Sequence, residues 1–207
     1  MIKAKEKRER FLGESLHLKG DRCLSPKCAA LRKPYPPGAH GPNPSRPRKV
    51  SDFGRQIREK QKFKVSYGLT DKALRRLFEI AHQDKAPTAH KLLELLERRL
   101  DNTIFRLGFA PSRAAARQMV SQGHITINGK NTRTPSVLVE KGDVIGFRQG
   151  SKAMARLIKD GKEALEKKDR PTWLSFNTNK ITGEVLNAPA DLEQRFDVSL
   201  LVQSFTK

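Results

Sequence analysis

Arg113 and Arg117 stand four residues apart directly after Ser112, in the run Ser112-Arg113-Ala114-Ala115-Ala116-Arg117. On a helix that spacing puts two guanidinium groups on one face. Ser112 is a good N-cap, so the helix start adds free backbone N–H groups and the positive end of the dipole. Fixed cations beside such a terminus make a seat for phosphate. Lys130 follows Asn128-Gly129, the strongest short hairpin signal, and can sit beside that seat. A solvated helix face accounts for Arg113 and Arg117 equally well, so the residues alone leave both readings open.

Other reactive side chains offer less. Cys23 and Cys28 are the two cysteines, too few for a disulfide scaffold. Their spacing looks like half of a zinc site, but a structural zinc needs four ligands, dominated by Cys and His. His17 or His40 would have to help complete it, neither at a characteristic spacing. Two free thiols are the preferred reading, and no cofactor is expected. The five histidines, at 17, 40, 82, 90 and 124, are scattered. His124 lies at a helix-to-strand turn and reads as a turn or RNA-contact residue, since no partner is positioned to make it a base. A G-x-x-x-x-G-K-[ST] phosphate loop is missing.

Charge narrows the partner. The 207 residues include 42 Lys plus Arg against 22 Asp plus Glu, a net charge of +20. Such an excess repels itself and calls for a polyanion, of which nucleic acid is the commonest. No apolar stretch is long enough to span a membrane. The start, MIKAKEKRERF, lacks the apolar segment and cleavage site of a secretory signal, so a cytosolic protein is expected. Residues 1–68 hold 18 basic and 6 acidic residues, a net +12, whereas 171–207 hold 3 and 4, a net −1. One end is suited to phosphate and the other is not.

The elements that must position these groups follow from periodicity and punctuation. Six prolines and two glycines between Arg32 and Arg48 forbid a helix there, so the first 50 residues read as an extended, irregular arm. Thr70 is an N-cap for a helix whose apolar face is Leu74, Leu77, Phe78 and Ala81. A second amphipathic helix is predicted from Thr88 to about Leu107, ended by Gly108. Ser112 opens a short helix over 113–121, stopped by Gly123. The period then falls to two: Ile125 to Ile127, the Asn128-Gly129 turn, Val137 to Val139, and Val144 to Phe147 read as strands. A basic helical segment, 151–168, and short strands complete the chain.

Several of these residues fall into a familiar pattern. Leu96-Glu97-Arg98-Arg99-Leu100-Asp101-Asn102, Arg106-Leu107-Gly108-Phe109, Ser112-Arg113, Gly123-His124-Ile125, Asn128-Gly129-Lys130 and Gly142-Asp143-Val144-Ile145 resemble a small RNA-binding module. That module is shared by ribosomal small-subunit protein 4, some pseudouridine synthases, tyrosyl-tRNA synthetases and a heat-shock ribosome-rescue protein. The flanks choose among them. Leu18-Lys19-Gly20-Asp21-Arg22-Cys23, Pro36-Pro37-Gly38, Ser51-Asp52-Phe53-Gly54 and Pro171-Thr172-Trp173-Leu174 are similar to the bacterial small-subunit protein 4 family, and the likeness covers nearly the whole chain.

The resemblance implies an α+β protein: a mostly helical domain, an inserted RNA-binding module of two helices, a β-hairpin and further antiparallel strands, and an extended basic N-terminal arm. The expected divisions are an arm at 1–50, a helical domain at 51–90, the module at 91–150, and a segment at 151–207 that returns to the helical domain. It implies a non-enzymatic constituent of the small ribosomal subunit in the cytoplasm. Such a protein is a primary binder of 16S rRNA, nucleates assembly, meets small-subunit protein 5 and other ribosomal proteins, and affects translational accuracy. RNA contacts are then expected from Arg99, Arg106, Ser112, Arg113, Arg117, His124 and Lys130, and from Arg55, Arg58 and Lys62. Arg46, Arg48 and Lys49 lie where the family lines the channel through which messenger RNA enters, although ribosomal RNA is an equal candidate partner for them. Family members with a complete zinc site carry a C-x-x-C pair upstream, and the matching positions here are Glu6 and Glu9.

Overall fold

The computed structural model describes residues 5–42, 50–151, 153–155, 169–189 and 196–205. Arg46, Arg48 and Lys49 lie outside the described residues, as does most of the basic segment expected over 151–168. The chain divides into two units, 1–92 with 194–207, and 93–193. The class is mixed: helices with one antiparallel sheet.

The first unit is helical. Within the arm stand α1 (Lys5–Leu12), a 3-10 turn (Gly20–Leu24) and the single-turn α2 (Ala29–Arg32), elements that the proline content of the following stretch had masked. Next come α3 (Asp52–Ser66) and α4 (Asp71–Gln83). Ser51 and Thr70 cap them, each side-chain oxygen accepting an N–H, from Gly54 and Ala73 respectively, at 3.2 Å. Leu74, Leu77, Phe78 and Ala81 are all buried, as their spacing requires.

The C-terminal helix α8 (Val198–Gln203), capped by Asp197, belongs to this unit. Phe196 sets its ring edge against Phe63 at 5.1 Å and packs against a small core of Leu12, Leu16 and Val65. Phe205 stacks on Phe78 at 4.7 Å. Gln56 donates its amide to the Gln203 carbonyl oxygen at 3.3 Å. Much of the near-neutral end of the chain is thus occupied in internal contacts. Trp173 and Leu174 are likewise buried, in the other unit.

The second unit carries a five-stranded sheet in the order β2-β1-β3-β5-β4, antiparallel throughout. The strands are β1 (Ile125–Ile127), β2 (Lys130–Thr132), β3 (Val144–Phe147), β4 (Leu174–Asn177) and β5 (Thr182–Val185). Among its described helices are α6 (Leu100–Arg106) and α7 (Arg113–Ser121). Leu100, Ile104, Leu107, Ala116, Val120, Ile125, Ile145 and Trp173 share one core. Asn128 (φ 49°) and Gly129 (φ 79°) form the tight hairpin turn, the two left-handed positions that a type I′ turn demands. The Asn128 amide then donates to the Asp143 carboxylate at 2.7 Å, and its oxygen accepts the Val144 N–H at 2.8 Å, tying the turn to β3.

The helix predicted from Thr88 to Leu107 is not continuous. It stops at α5 (Thr88–Glu97), Arg99 is extended, and α6 starts afresh at Leu100. The cause is tertiary. The Leu100 and Asp101 N–H groups donate to the carbonyls of Val137 (2.8 Å) and Pro135 (3.2 Å), and the Val139 N–H donates to the Arg98 carbonyl (2.9 Å). Those bonds supply the partners that the first turn of α6 lacks within the helix. For the same reason Val137 to Val139, expected as a strand, is not part of the sheet: its backbone is spent on the helix break, with one bridge pairing Leu138 to Arg99.

Gly183 sits in β5, where a Cβ would collide with the Leu107 side chain. Leu107 is fully buried and cannot swing clear. Gly183→Ala is therefore expected to cost about 1–3 kcal/mol through overpacking. Denaturant unfolding followed by fluorescence of Trp173, the one tryptophan, measures it. An unshifted midpoint would show that the strand can move away from the helix.

Candidate nucleic-acid interface

Ser112 accepts the Ala115 N–H at 3.3 Å and so fixes the start of α7. Arg113 and Arg117 rise from that helix, but their guanidinium groups are not equivalent. Arg113 donates to the Asn102 side-chain oxygen at 2.7 Å and lies over the Phe105 ring, 4.8 Å from its centre. Arg117 reaches the Asp101 carboxylate at 3.3 Å while keeping its side chain 45% exposed. Of this pair, Arg117 is the one that retains broad access to a phosphate.

Arg99 is buried and Arg106 half-buried, and both are committed to carboxylates. Arg99 is buried and forms a bidentate pair with Asp101 at 3.1 and 2.8 Å. Arg106 forms a second bidentate pair with Glu97, at 2.9 and 3.1 Å. Asn102 donates to the same Glu97 carboxylate at 2.9 Å. Burial pushes the Glu97 carboxyl up, but the hydrogen bond and charge of Arg106, the charge of Arg113 and the Asn102 amide more than reverse this and hold it below the usual carboxylate range. Arg98, absent from the sequence-based set, donates to the Val139 carbonyl at 2.9 Å and to Glu94 at 3.1 Å. The Leu-Glu-Arg-Arg-Leu-Asp-Asn run thus forms an ionic lattice that holds α5, α6 and α7 of this unit in register.

Lys130 is exposed at the hairpin. His124 is half-buried, and its backbone does the local work: its N–H donates to Met119 and its carbonyl accepts from Arg148, joining the end of α7 to the sheet. Two further exposed cations, Arg133 and Arg148, were missed. Arg133 passes so close to the Gly123 backbone that a Cβ there would stand 3.1 Å from its Nε. Their signal was weak: two basic residues at strand ends with no companion at helical spacing. Arg117, Lys130, Arg133 and Arg148 give this unit exposed positive charge on rigid elements, suited to gripping a phosphate backbone by shape and charge.

In the helical unit, Arg58 is exposed and Arg55 pairs loosely with Asp52 at 3.1 Å, both side chains largely in solvent. Lys62 differs. It lies between Glu14 and Glu59 at 2.6 Å each. Burial alone would lower its pKa, but the two carboxylates outweigh that and raise it.

The cysteines do not fit a zinc centre. Both are buried thiols. At the two upstream positions, Glu6 is engaged by Lys19 (3.1 Å) and Arg22 (3.2 Å), and Glu9 accepts the N–H groups of Leu16 and Leu18 at 3.1 Å. Two carboxylates already committed to cations and backbone are poor substitutes for two thiolates. Among the described residues no group of three or more His, Cys, Asp or Glu is placed to hold a metal ion.

Comparison with known proteins agrees with this geometry. Residues 1–97 match the family model for the ribosomal protein S4/S9 N-terminal domain, and residues 98–145 match the S4 domain. A protein of Caldicellulosiruptor saccharolyticus named small ribosomal subunit protein uS4 is 44% identical over 197 residues, covering 94% of this chain and 93% of the relative. Proteins of the same name from Dehalococcoides mccartyi and Syntrophomonas wolfei are 43% and 45% identical over the same shares.

Proposed function

The chain belongs to the ribosomal protein S4 family, and from that premise we propose that it is a primary binder of 16S rRNA that nucleates assembly of the small subunit. It is a structural, RNA-binding protein of the small ribosomal subunit and not an enzyme. The observation that carries the reading is the reach of the likeness. An enzyme or rescue factor that borrows the module would match over the module, whereas here the domain before it matches too, and uS4 relatives align over 94% of the chain. The exposed cations of the module and the net charge of +20 supply the physical means.

Sedimentation tests it. Tagged chain expressed in cells is expected to remain stoichiometric with small subunits through high-salt washing. Release into the top fractions, or a content far below one per subunit, would favour a transient rescue-type RNA binder.

The near-neutral segment from Pro171 onward is the part assigned to small-subunit protein 5 and to translational accuracy. Its large apolar groups are mostly used internally, so the contact would be made by exposed polar positions such as Glu184. An interface that opens when the subunit closes on a paired tRNA biases the subunit toward the open state. Weakening it shifts that balance toward closure. Glu184→Lys is expected to raise misreading in a near-cognate reporter without changing 16S rRNA affinity. Unchanged fidelity with the variant present on subunits would count against the assignment.

A further inference from the structure

Asn128-Gly129 is the chain's one Asn-Gly pair, and it has a chemistry separate from its use as a turn. A side-chain amide followed by glycine is open to attack by the next backbone nitrogen, because no Cβ stands in the way. A Cβ at Gly129 would meet nothing within 4 Å, and both residues are exposed to water. In that attack the Gly129 nitrogen bonds to Cγ of Asn128, and the Cγ–Nδ2 bond breaks. Ammonia leaves with the Gly129 amide proton. Water then opens the five-membered ring at one of its two C–N bonds. The net change is amide plus water to acid plus ammonia. Opening at one bond gives aspartate. Opening at the other gives isoaspartate, whose main chain runs through the side-chain carbons.

The fold holds this reaction in check. Nδ2 of Asn128 donates to Oδ1 of Asp143 at 2.7 Å, and its Oδ1 accepts the Val144 N–H at 2.8 Å. Held at both ends, the amide is kept from rotating onto the Gly129 nitrogen until the turn opens locally. The same contacts make the product a misfit. A carboxylate at 128 has no proton to donate and faces the Asp143 carboxylate across a gap now closed by a hydrogen bond. Asp143 is not free to turn away, since its Oδ2 accepts the Glu140 N–H at 2.8 Å. Isoaspartate also lengthens the main chain, so the Ile127–Lys130 pair no longer closes over a two-residue turn. We propose that Asn128 is a deamidation site, gated by Asp143 and Val144, whose product unfastens the hairpin from β3 and lowers the RNA affinity of the module. The loss of affinity rests on the RNA-binding reading above, because the hairpin carries Lys130; the chemistry does not.

Peptide mass analysis of the full-length chain, aged in mildly alkaline buffer, tests the site and its gate. The peptide holding residues 128–129 is expected to convert from amide to acid about 10-fold or more slowly in the folded chain than in urea. Asp143→Ala, with its fold verified by circular dichroism, is expected to convert several-fold faster than wild type. No conversion in the folded chain, equal rates folded and unfolded, or a wild-type rate in Asp143→Ala would each overturn the proposal. Filter binding to a 16S rRNA transcript tests the consequence. Asn128→Asp, which installs the aspartate product directly, is expected to bind about 3- to 10-fold more weakly. Asn128→Asp/Asp143→Asn exchanges the two groups and is expected to regain most of that loss. An amide at 143 can donate to 128 and still accept the Glu140 N–H, a rescue that a mere change of turn propensity would not allow. Wild-type affinity in Asn128→Asp, or no recovery in the exchanged pair, would overturn the link between deamidation and RNA binding. A wild-type chain that failed to bind the transcript would overturn the RNA-binding reading, with the site itself still decided by the mass analysis.

Discussion

Asp101→Ala is expected to destabilise the 93–193 unit by about 3–5 kcal/mol, the usual cost of stripping one partner from a buried ion pair. Asp101 accepts both guanidinium bonds of Arg99, and the side chains are each 5% exposed. Its loss leaves a cation with neither water nor counter-ion. Arg117 loses its tether as well. The companion variant Arg99→Met/Asp101→Leu is expected to recover much of the loss, since apolar replacement of a whole buried pair is often nearly neutral. Trp173 fluorescence through a denaturant titration reads both. A cost below about 1 kcal/mol for the single variant would mean that Arg99 can swing out to solvent.

Affinity for 16S rRNA is expected to collapse with salt. With about six to ten phosphates neutralised, log K should fall against log salt with a slope of roughly −4 to −9, or about 10²- to 10⁵-fold between about 50 and 200 mM. Arg117→Ala is expected to cost about 1–3 kcal/mol of binding and to reduce the slope by about one. A slope near zero would dismiss the electrostatic account. Arg99 and Arg106 variants should act differently, through stability first, because their guanidinium groups serve Asp101 and Glu97.

What sequence could reveal differed between local and distant causes. Thr70 with Leu74, Leu77, Phe78 and Ala81, and Asn128-Gly129 between alternating apolar residues, announce elements whose causes lie within a few positions. The structure has both. The break at Arg99 has no such signature. Leu92, Leu93, Leu96 and Leu100 continue the helical stripe straight through it, with neither Gly nor Pro, and the bonds responsible come from residues 135–139. Side-chain roles failed for the same reason. Lys62 stands between Lys60 and Lys64 in an alternating basic run but meets Glu14, whose approach only the fold creates. The 13 candidate contacts rested on residue type and family likeness, and type cannot say which guanidinium groups face inward.

The junction between α5 and α6 also sets an order of events. Arg98 donates to a carbonyl 41 residues further along, and the first turn of α6 is completed by N–H bonds to the same stretch. A chain made from its N-terminus cannot close that junction while residues 135–139 are still inside the tunnel. The start of α4, whose Thr70 cap and Lys64–Asp71 pair are local, is free to form early, but α6 must wait. Until that stretch emerges, Arg98 lacks the Val139 carbonyl that takes its guanidinium, and Arg99 lacks the Leu138 bridge that fixes its backbone. A nascent chain interrupted before Val139 would therefore present Arg98 and Arg99 to RNA more openly than the finished protein, in which Arg99 is buried.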